Sequence, residues 1–120
     1  MSQVTVDLQL AGGSRLLIMS DDGVTFINVF EIPADRVDEF VETWRERAKL
    51  MRDAPGFRDT NLHRALLPDS RFQLVNVTHY DSKEAWEAAG KNQVFQASTE
   101  RAAEVATPNA ALYEVVVEYP

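Results

Sequence analysis

Two amides stand in rows where apolar side chains dominate. In the run Val24-Thr25-Phe26-Ile27-Asn28-Val29-Phe30-Glu31-Ile32-Pro33, β-branched and aromatic residues predict a strand that Pro33 ends. Alternation places Val24, Phe26, Asn28, Phe30 and Ile32 on one face and Thr25, Ile27, Val29 and Glu31 on the other. Asn28 brings donors and an acceptor into an otherwise dry layer. Left unpaired there it would cost about 1–3 kcal/mol. A second run, Arg71 to Tyr80, repeats the arrangement: Phe72, Leu74, Asn76, Thr78 and Tyr80 share a face, opposite Gln73, Val75, Val77 and His79. Each amide is either a structural polar group satisfied by backbone or water, or a group whose partner is a ligand. Amides and a phenol in an aromatic cavity suit a flat apolar ligand with a few oxygens.

Other chemistries find no support. The chain has no cysteine, so no disulfide, thiolate nucleophile or iron–sulfur ligation is available. There is no GxGxxG or GxxxxGK[ST] phosphate loop, no HExxH and no nucleophile elbow. His63 and His79 lie on neighbouring predicted strands, but a metal would need a further ligand from the acidic residues. Two ordinary strand histidines is the simpler reading, and no metal is expected. A net charge of −7 without a Lys/Arg run argues against nucleic acid. No apolar run approaches the roughly 20 residues that span a bilayer, and no basic-then-apolar signal peptide is visible. Neither membrane nor nucleic acid is therefore an expected partner, and a cytoplasmic location is the default expectation.

The elements that must position these residues follow from the pattern. At 120 residues and 45% hydrophobic content, the chain is expected to form one domain, here residues 24–120, preceded by an extension, residues 1–23. In the extension, Val4, Val6, Leu8 and Leu10 alternate with polar residues, and Ser14 to Met19 returns, which predicts a β-ribbon with turns at Gly12-Gly13 and Asp21-Asp22-Gly23. After the first core strand comes a helix with Asp35 as N-cap and an apolar stripe of Val37, Phe40, Val41, Trp44, Ala48 and Met51. Arg45, Arg47, Lys49 and Arg52 sit toward its C-terminal end, where cations are favoured. Pro55-Gly56 stops it. Phe57 to Leu66 predicts a weaker strand, forming a hairpin with Arg71–Tyr80 through the turn Pro68-Asp69-Ser70. Asp81 as N-cap with Glu84 predicts a short helix through Trp86 to Gly90. A second helical piece runs from Gln93 to about Ala106. Leu112 to Tyr119 predicts a final strand with Ala111, Tyr113, Val115, Val117 and Tyr119 on its apolar face. The order strand, helix, strand, strand, helix, strand is the α+β, ferredoxin-like split βαβ arrangement, an antiparallel sheet with helices on one face.

Thr25 to Pro33, the turn Pro55-Gly56-Phe57 and Leu74 to Trp86 (LVNVTHYDSKEAW) together resemble the antibiotic biosynthesis monooxygenase family, over about residues 24–118. The resemblance implies a homodimer, a dimeric α+β barrel in which each subunit keeps a pocket between sheet and helices. It also separates two branches. The haem-degrading branch shares the asparagine at Asn28. It needs a tryptophan and an iron-binding histidine where this chain has Ala89 and Thr99, and His63 and His79 are not at that position. The cofactor-independent branch, which turns polyketide anthrones into anthraquinones, uses the same Asn28. It has an aromatic residue at the end of the third strand, here Tyr80 in place of the usual tryptophan, and its actinorhodin-type members carry an asparagine four residues earlier, here Asn76.

That resemblance implies a monooxygenase oxidising an aromatic polyketide anthrone or quinol with O2 to a quinone, with no cofactor. Asn28 would donate to the developing oxyanion, and Asn76 and Tyr80 would orient the substrate. Phe26, Phe30, Trp44 and Trp86 are candidate pocket walls, with a place in the core as their default. A small-aromatic-binding dimer without catalysis, and a haem-binding or haem-degrading protein with other ligands, are the alternatives.

Overall fold

The strand carrying Asn28 forms the inner part of the sheet because strands pair with it on both sides. The computed structural model describes residues 3–10, 13–20 and 23–120, with side chains from residue 23 onward. Strands β1 (Gln3–Leu10) and β2 (Gly13–Ser20) pair antiparallel as a two-stranded ribbon. The predicted turn residues Gly12, Asp21 and Asp22 lie outside the described residues.

The remaining strands are β3 (Val24–Glu31), β4 (Phe57–Arg64), β5 (Leu74–Tyr80) and β6 (Thr107–Tyr113). They form one sheet in the order β4-β5-β3-β6, every neighbouring pair antiparallel. With helices α1 (Val37–Arg52), α2 (Lys83–Gly90) and α3 (Gln93–Ala103) this is the ferredoxin-like α+β fold. In the β3–β5 register, Asn28 stands directly across from Asn76, and Phe26 from Thr78. Burial alternates along β5, with Leu74, Asn76, Thr78 and Tyr80 buried and Val75, Val77 and His79 half-buried. The buried side carries the helices: the rings of Phe30 and Phe40 of α1 meet at 4.9 Å, and those of Phe26 and Trp86 of α2 at 5.8 Å. No described helix is long and apolar enough to cross a membrane.

Four expectations about element ends are corrected. A 3-10 turn, Ala34–Arg36, leads into α1, and Asp35 lies within it rather than at the N-cap, which is Arg36. Ser82, not Asp81, caps α2, accepting from the Ala85 amide at 3.0 Å. Asp81 is engaged elsewhere: its amide donates to Gly56 O at 2.7 Å and its carboxylate takes Arg58 at 2.6 Å. α3 ends at Ala103, and its cap is Asn92, accepting from the Phe95 amide at 3.0 Å. The last strand starts at Thr107 and ends at Tyr113, five residues earlier at its start than the alternation of 112–119 suggests. Its extent follows β3, since Glu31 pairs with Thr107 and Thr25 with Tyr113. Pro108 is tolerated because β6 is an edge strand. Val115, Val116, Val117 and Tyr119 lie beyond the strand and are exposed, Val116 at 83%.

The turn from α1 into β4 depends on Gly56, whose φ is +84°. A Cβ there would come within 2.5 Å of Ala85 Cβ. Gly56 thus lets the turn sit against α2 and helps fix the roof over the sheet.

Candidate functional site

A cavity of about 430 Å³ opens between the helix-bearing side of the sheet and the three helices. The sheet supplies Phe26 and Asn28 from β3 and Asn76, Thr78 and Tyr80 from β5. α1 supplies Arg47 and Met51; α2 and its end supply Trp86, Glu87, Gly90 and Lys91; α3 supplies Phe95 and Thr99. Of the residues singled out in the sequence, Asn28, Asn76, Tyr80, Phe26 and Trp86 meet here. Phe30 and Trp44 do not line this cavity, and their expectation as its walls is corrected. Both belong to the buried cluster with Phe40, Met51 and Leu74. The apolar stripe of α1 turns Trp44 into the core, where its indole Nε1 has no hydrogen-bond partner among the described residues.

The two amides are oriented by their carbonyl ends. The Asn109 backbone N–H donates to Asn28 Oδ1 at 3.1 Å, and the Asn109 side chain holds the same edge by donating to Val29 O at 3.0 Å. The hydroxyls of Thr78 and Thr60 donate to Asn76 Oδ1 at 2.8 and 3.0 Å and lie 2.6 Å from each other. Each carbonyl is thereby occupied, and neither Nδ2 group has a hydrogen-bond partner among the described residues. Side chains facing each other in an antiparallel pair have Cβ atoms about 4.5–5.5 Å apart. The sheet therefore presents two adjacent NH2 donors on one cavity wall.

Tyr80, 3% exposed, packs edge-on against Phe57 with ring centroids 5.9 Å apart. Burial raises its phenol pKa above the ordinary value. It is a neutral hydrogen-bonding group at working pH, and its hydroxyl has no hydrogen-bond partner among the described residues.

Arg47 is the residue that the sequence reading missed as part of the site. It is 6% exposed, and among the described residues it forms no ion pair and its Nε has no hydrogen-bond partner. The guanidinium carbon lies 5.8 Å from the centroid of the Phe95 ring. Burial pushes its pKa down, yet an arginine stays protonated. An unpaired buried charge costs several kcal/mol, and each unsatisfied buried donor about 1–3 kcal/mol. A signal was available: Arg47 stands three residues after Trp44 and four before Met51, within the buried stripe of α1.

The histidines lie elsewhere. His79 belongs to the half-buried side of β5, away from Asn76, and its Nδ1 contacts the Asp59 carboxylate of β4. His63 faces Val75 in the register, on the same side as Asp59.

Comparisons with known proteins agree with this architecture. The family described as antibiotic biosynthesis monooxygenase matches residues 23–101. A heme oxygenase (mycobilin-producing) of Mycobacterium tuberculosis is 33% identical over 97 residues, covering 79% of this chain and 90% of the relative. Among solved structures, SnoaB, a cofactor-independent oxygenase from Streptomyces nogalater, superposes with a TM-score of 0.71 at 24% identity, over 82% of this chain and 98% of that one. Rv0793 from Mycobacterium tuberculosis superposes with a TM-score of 0.68 at 16% identity, over 82% and 99% of the two chains.

The mycobacterial relative raises the question of haem. Haem iron is held by histidine, thiolate, methionine or tyrosinate. The described lining contains neither histidine nor cysteine, and burial of the Tyr80 phenol favours its protonated form. Among the described lining residues Met51 is a weak ligand, and Tyr80 would have to give up its proton. The donor set does not fit a histidine-ligated haem.

Proposed function

The chain belongs to the antibiotic biosynthesis monooxygenase family, and from that premise we propose that it is a cofactor-independent oxygenase converting an aromatic polyketide anthrone or quinol to a quinone with O2. The observation that carries the reading is the pair of Nδ2 donors on Asn28 and Asn76, facing each other in register on a cavity wall with both carbonyls already occupied.

An anthrone has an acidic CH2 between two aryl rings. Loss of one proton to solvent leaves an enolate, whose oxygen takes hydrogen bonds from the two amides. The enolate passes one electron to O2, and the resulting radical pair combines to a peroxide at the former CH2 carbon. Cleavage of the O–O bond with loss of the second C–H proton leaves a C=O group and releases water. One O2 thus takes four electrons, with one oxygen in the quinone and the other in water. Asn28 is the main oxyanion donor, and Asn76 and Tyr80 orient the substrate oxygens. Phe26 and Trp86 form an aromatic wall, their rings inclined at 34°. The surrounding apolar side chains keep water from the radical pair.

The working form in this reading is a homodimer. It is supported by the sheet side away from the helices, where Ile27, Val29, Val75 and Val77 are only half-buried in the protomer, and by the exposed apolar residues after β6.

The test is oxygen uptake by chelator-treated protein with a simple anthrone. Uptake above the uncatalysed background with quinone formed, and reduced at least about tenfold in Asn28→Ala, is the expected result, since oxyanion donors are worth roughly 2.7–4 kcal/mol. Uptake unchanged in the variant removes the role of Asn28. The mycobacterial relative favours haem as the second reading. A Soret band that saturates on hemin titration, together with no anthrone oxidation, would favour it.

A further inference from the structure

We propose that Glu87 is the general base of the reaction, taking the proton from the substrate CH2 and handing it to solvent. The proposal rests on the reading that the cavity oxidises an anthrone, and it supplies the proton acceptor that this reading needs. Oxidation begins with a C–H bond that must lose its proton, and a positioned base speeds such a step by about 10²–10⁴-fold. Among the described lining residues, Arg47, Tyr80, Glu87 and Lys91 carry titratable side chains. A guanidinium and an ammonium present donors and no acceptor. Burial favours the neutral Tyr80 phenol, a poor base. The Thr78 and Thr99 hydroxyls are committed, to Asn76 Oδ1 at 2.8 Å and to Phe95 O at 3.0 Å. His79 contacts Asp59 on the other side of the sheet. The carboxylate of Glu87 is left as the base of the described lining.

Its place suits the task. Glu87 stands in the last turn of α2, directly after Trp86, so the carboxylate and part of the aromatic wall come from one helix. The oxyanion donors, Asn28 and Asn76, come from the sheet. An anthrone has a matching division, with its carbonyl and its CH2 at opposite ends of the central ring. A carbonyl held at the amides directs the CH2 away from them, and α2 supplies the carboxylate there. The Glu87 side chain lines the cavity and is also 47% exposed. It therefore reaches both the substrate and water, as a proton carrier must. Lys83, one turn earlier, lies 3.7 Å from Glu87 Oε1, and so exposed a pair does little to hold the carboxylate in place. In the step, a Glu87 oxygen bonds the proton as the C–H bond breaks. The electron pair of that bond enters the ring system, and its charge comes to rest on the oxygen held by Asn28 and Asn76. Water then takes the proton from the carboxylic acid and restores the carboxylate.

The experiment is oxygen uptake by the full chain with anthrone and with anthrone deuterated at its CH2, comparing wild type, Glu87→Gln and Glu87→Asp. Glu87→Gln keeps the shape and removes the base. The expected result is a kcat lower by about 100-fold or more, with KM within about twofold of wild type. Glu87→Asp should recover part of the rate. The deuterium effect on kcat should grow in Glu87→Gln, because proton removal then limits turnover. A side chain that only shaped the rim would move KM and leave the isotope effect alone. Turnover of Glu87→Gln within about threefold of wild type, or a loss confined to KM, overturns the proposal and leaves the oxygenase reading standing. A lower kcat without a larger isotope effect does the same. No oxidation above background by the wild type overturns both. Glu87 is half-exposed on a helix surface, so its variants are expected to fold, with far-UV circular dichroism as the check.

Discussion

Replacing Arg47 by Met should make the free protein more stable. The change keeps an unbranched, flexible side chain of related reach and removes a charge that is 6% exposed and without an ion pair among the described residues. The Nε alone is a buried donor with no partner among the described residues, a defect of about 1–3 kcal/mol. Exchange of buried ionic groups for well-packed apolar ones is often worth 1–4 kcal/mol. Against this stands the contact with Phe95 at 5.8 Å, of order 0.5–2 kcal/mol. The net gain is about 1–2 kcal/mol, which for a chain of this size raises Tm by roughly 3–10 °C. Urea unfolding followed by far-UV circular dichroism, with thermal melts alongside, measures it without any ligand. A variant less stable than wild type by 1 kcal/mol or more would refute the reasoning. Arg47 would then be compensated within the folded protein.

Gly56→Ala should cost about 2 kcal/mol or more, because a φ of +84° and a Cβ 2.5 Å from Ala85 combine backbone strain with a clash; the urea midpoint reads it. Thr78→Val removes a hydroxyl that fixes Asn76 Oδ1 at 2.8 Å. It should lower stability by about 1–2 kcal/mol and reduce anthrone turnover more than it raises KM, with steady-state oxygen uptake as the check. Tyr80 has a folded-state pKa raised by burial from an ordinary value of 10.0. Its neutral form is therefore favoured by folding, and stability is full below pH 10 and falls as pH rises toward the folded value. Tyr80→Phe should flatten that alkaline fall, which urea midpoints from pH 8 to 11 will show.

The sheet was legible because its signal is local. Val24–Glu31 and Leu74–Tyr80 alternate clearly, and a period of two assigns each side chain to a face before any partner is known. The same alternation put Asn28, Asn76 and Tyr80 on faces that the register then brought to one cavity. It also kept His79 on the other side. The stripe of α1 marked Trp44 as core or wall but could not decide between them, because that depends on which part of the sheet the helix crosses. Phe30 was ambiguous for the same reason. The last strand was misplaced because Leu112 to Tyr119 has the better pattern, whereas a strand ends where its partner ends. Asp81 looked like a cap, but the bulge at Arg58 gave its carboxylate another partner.

By itself, then, the sequence determined the order of the elements, the sides of the strands and the two amides in apolar rows, all of which follow from residue type and spacing along one chain. Tertiary structure decided which groups are left without partners. Asn109 reaches Asn28 from 81 positions away, and Thr60 reaches Asn76 from 16, so only packing could show that both carbonyls are occupied and both NH2 groups face the cavity. It was packing, too, that buried Arg47. A cation near a helix C-terminus is ordinarily solvated, and this one became part of the site when α3 laid Phe95 over it, with no ion-pair partner among the described residues.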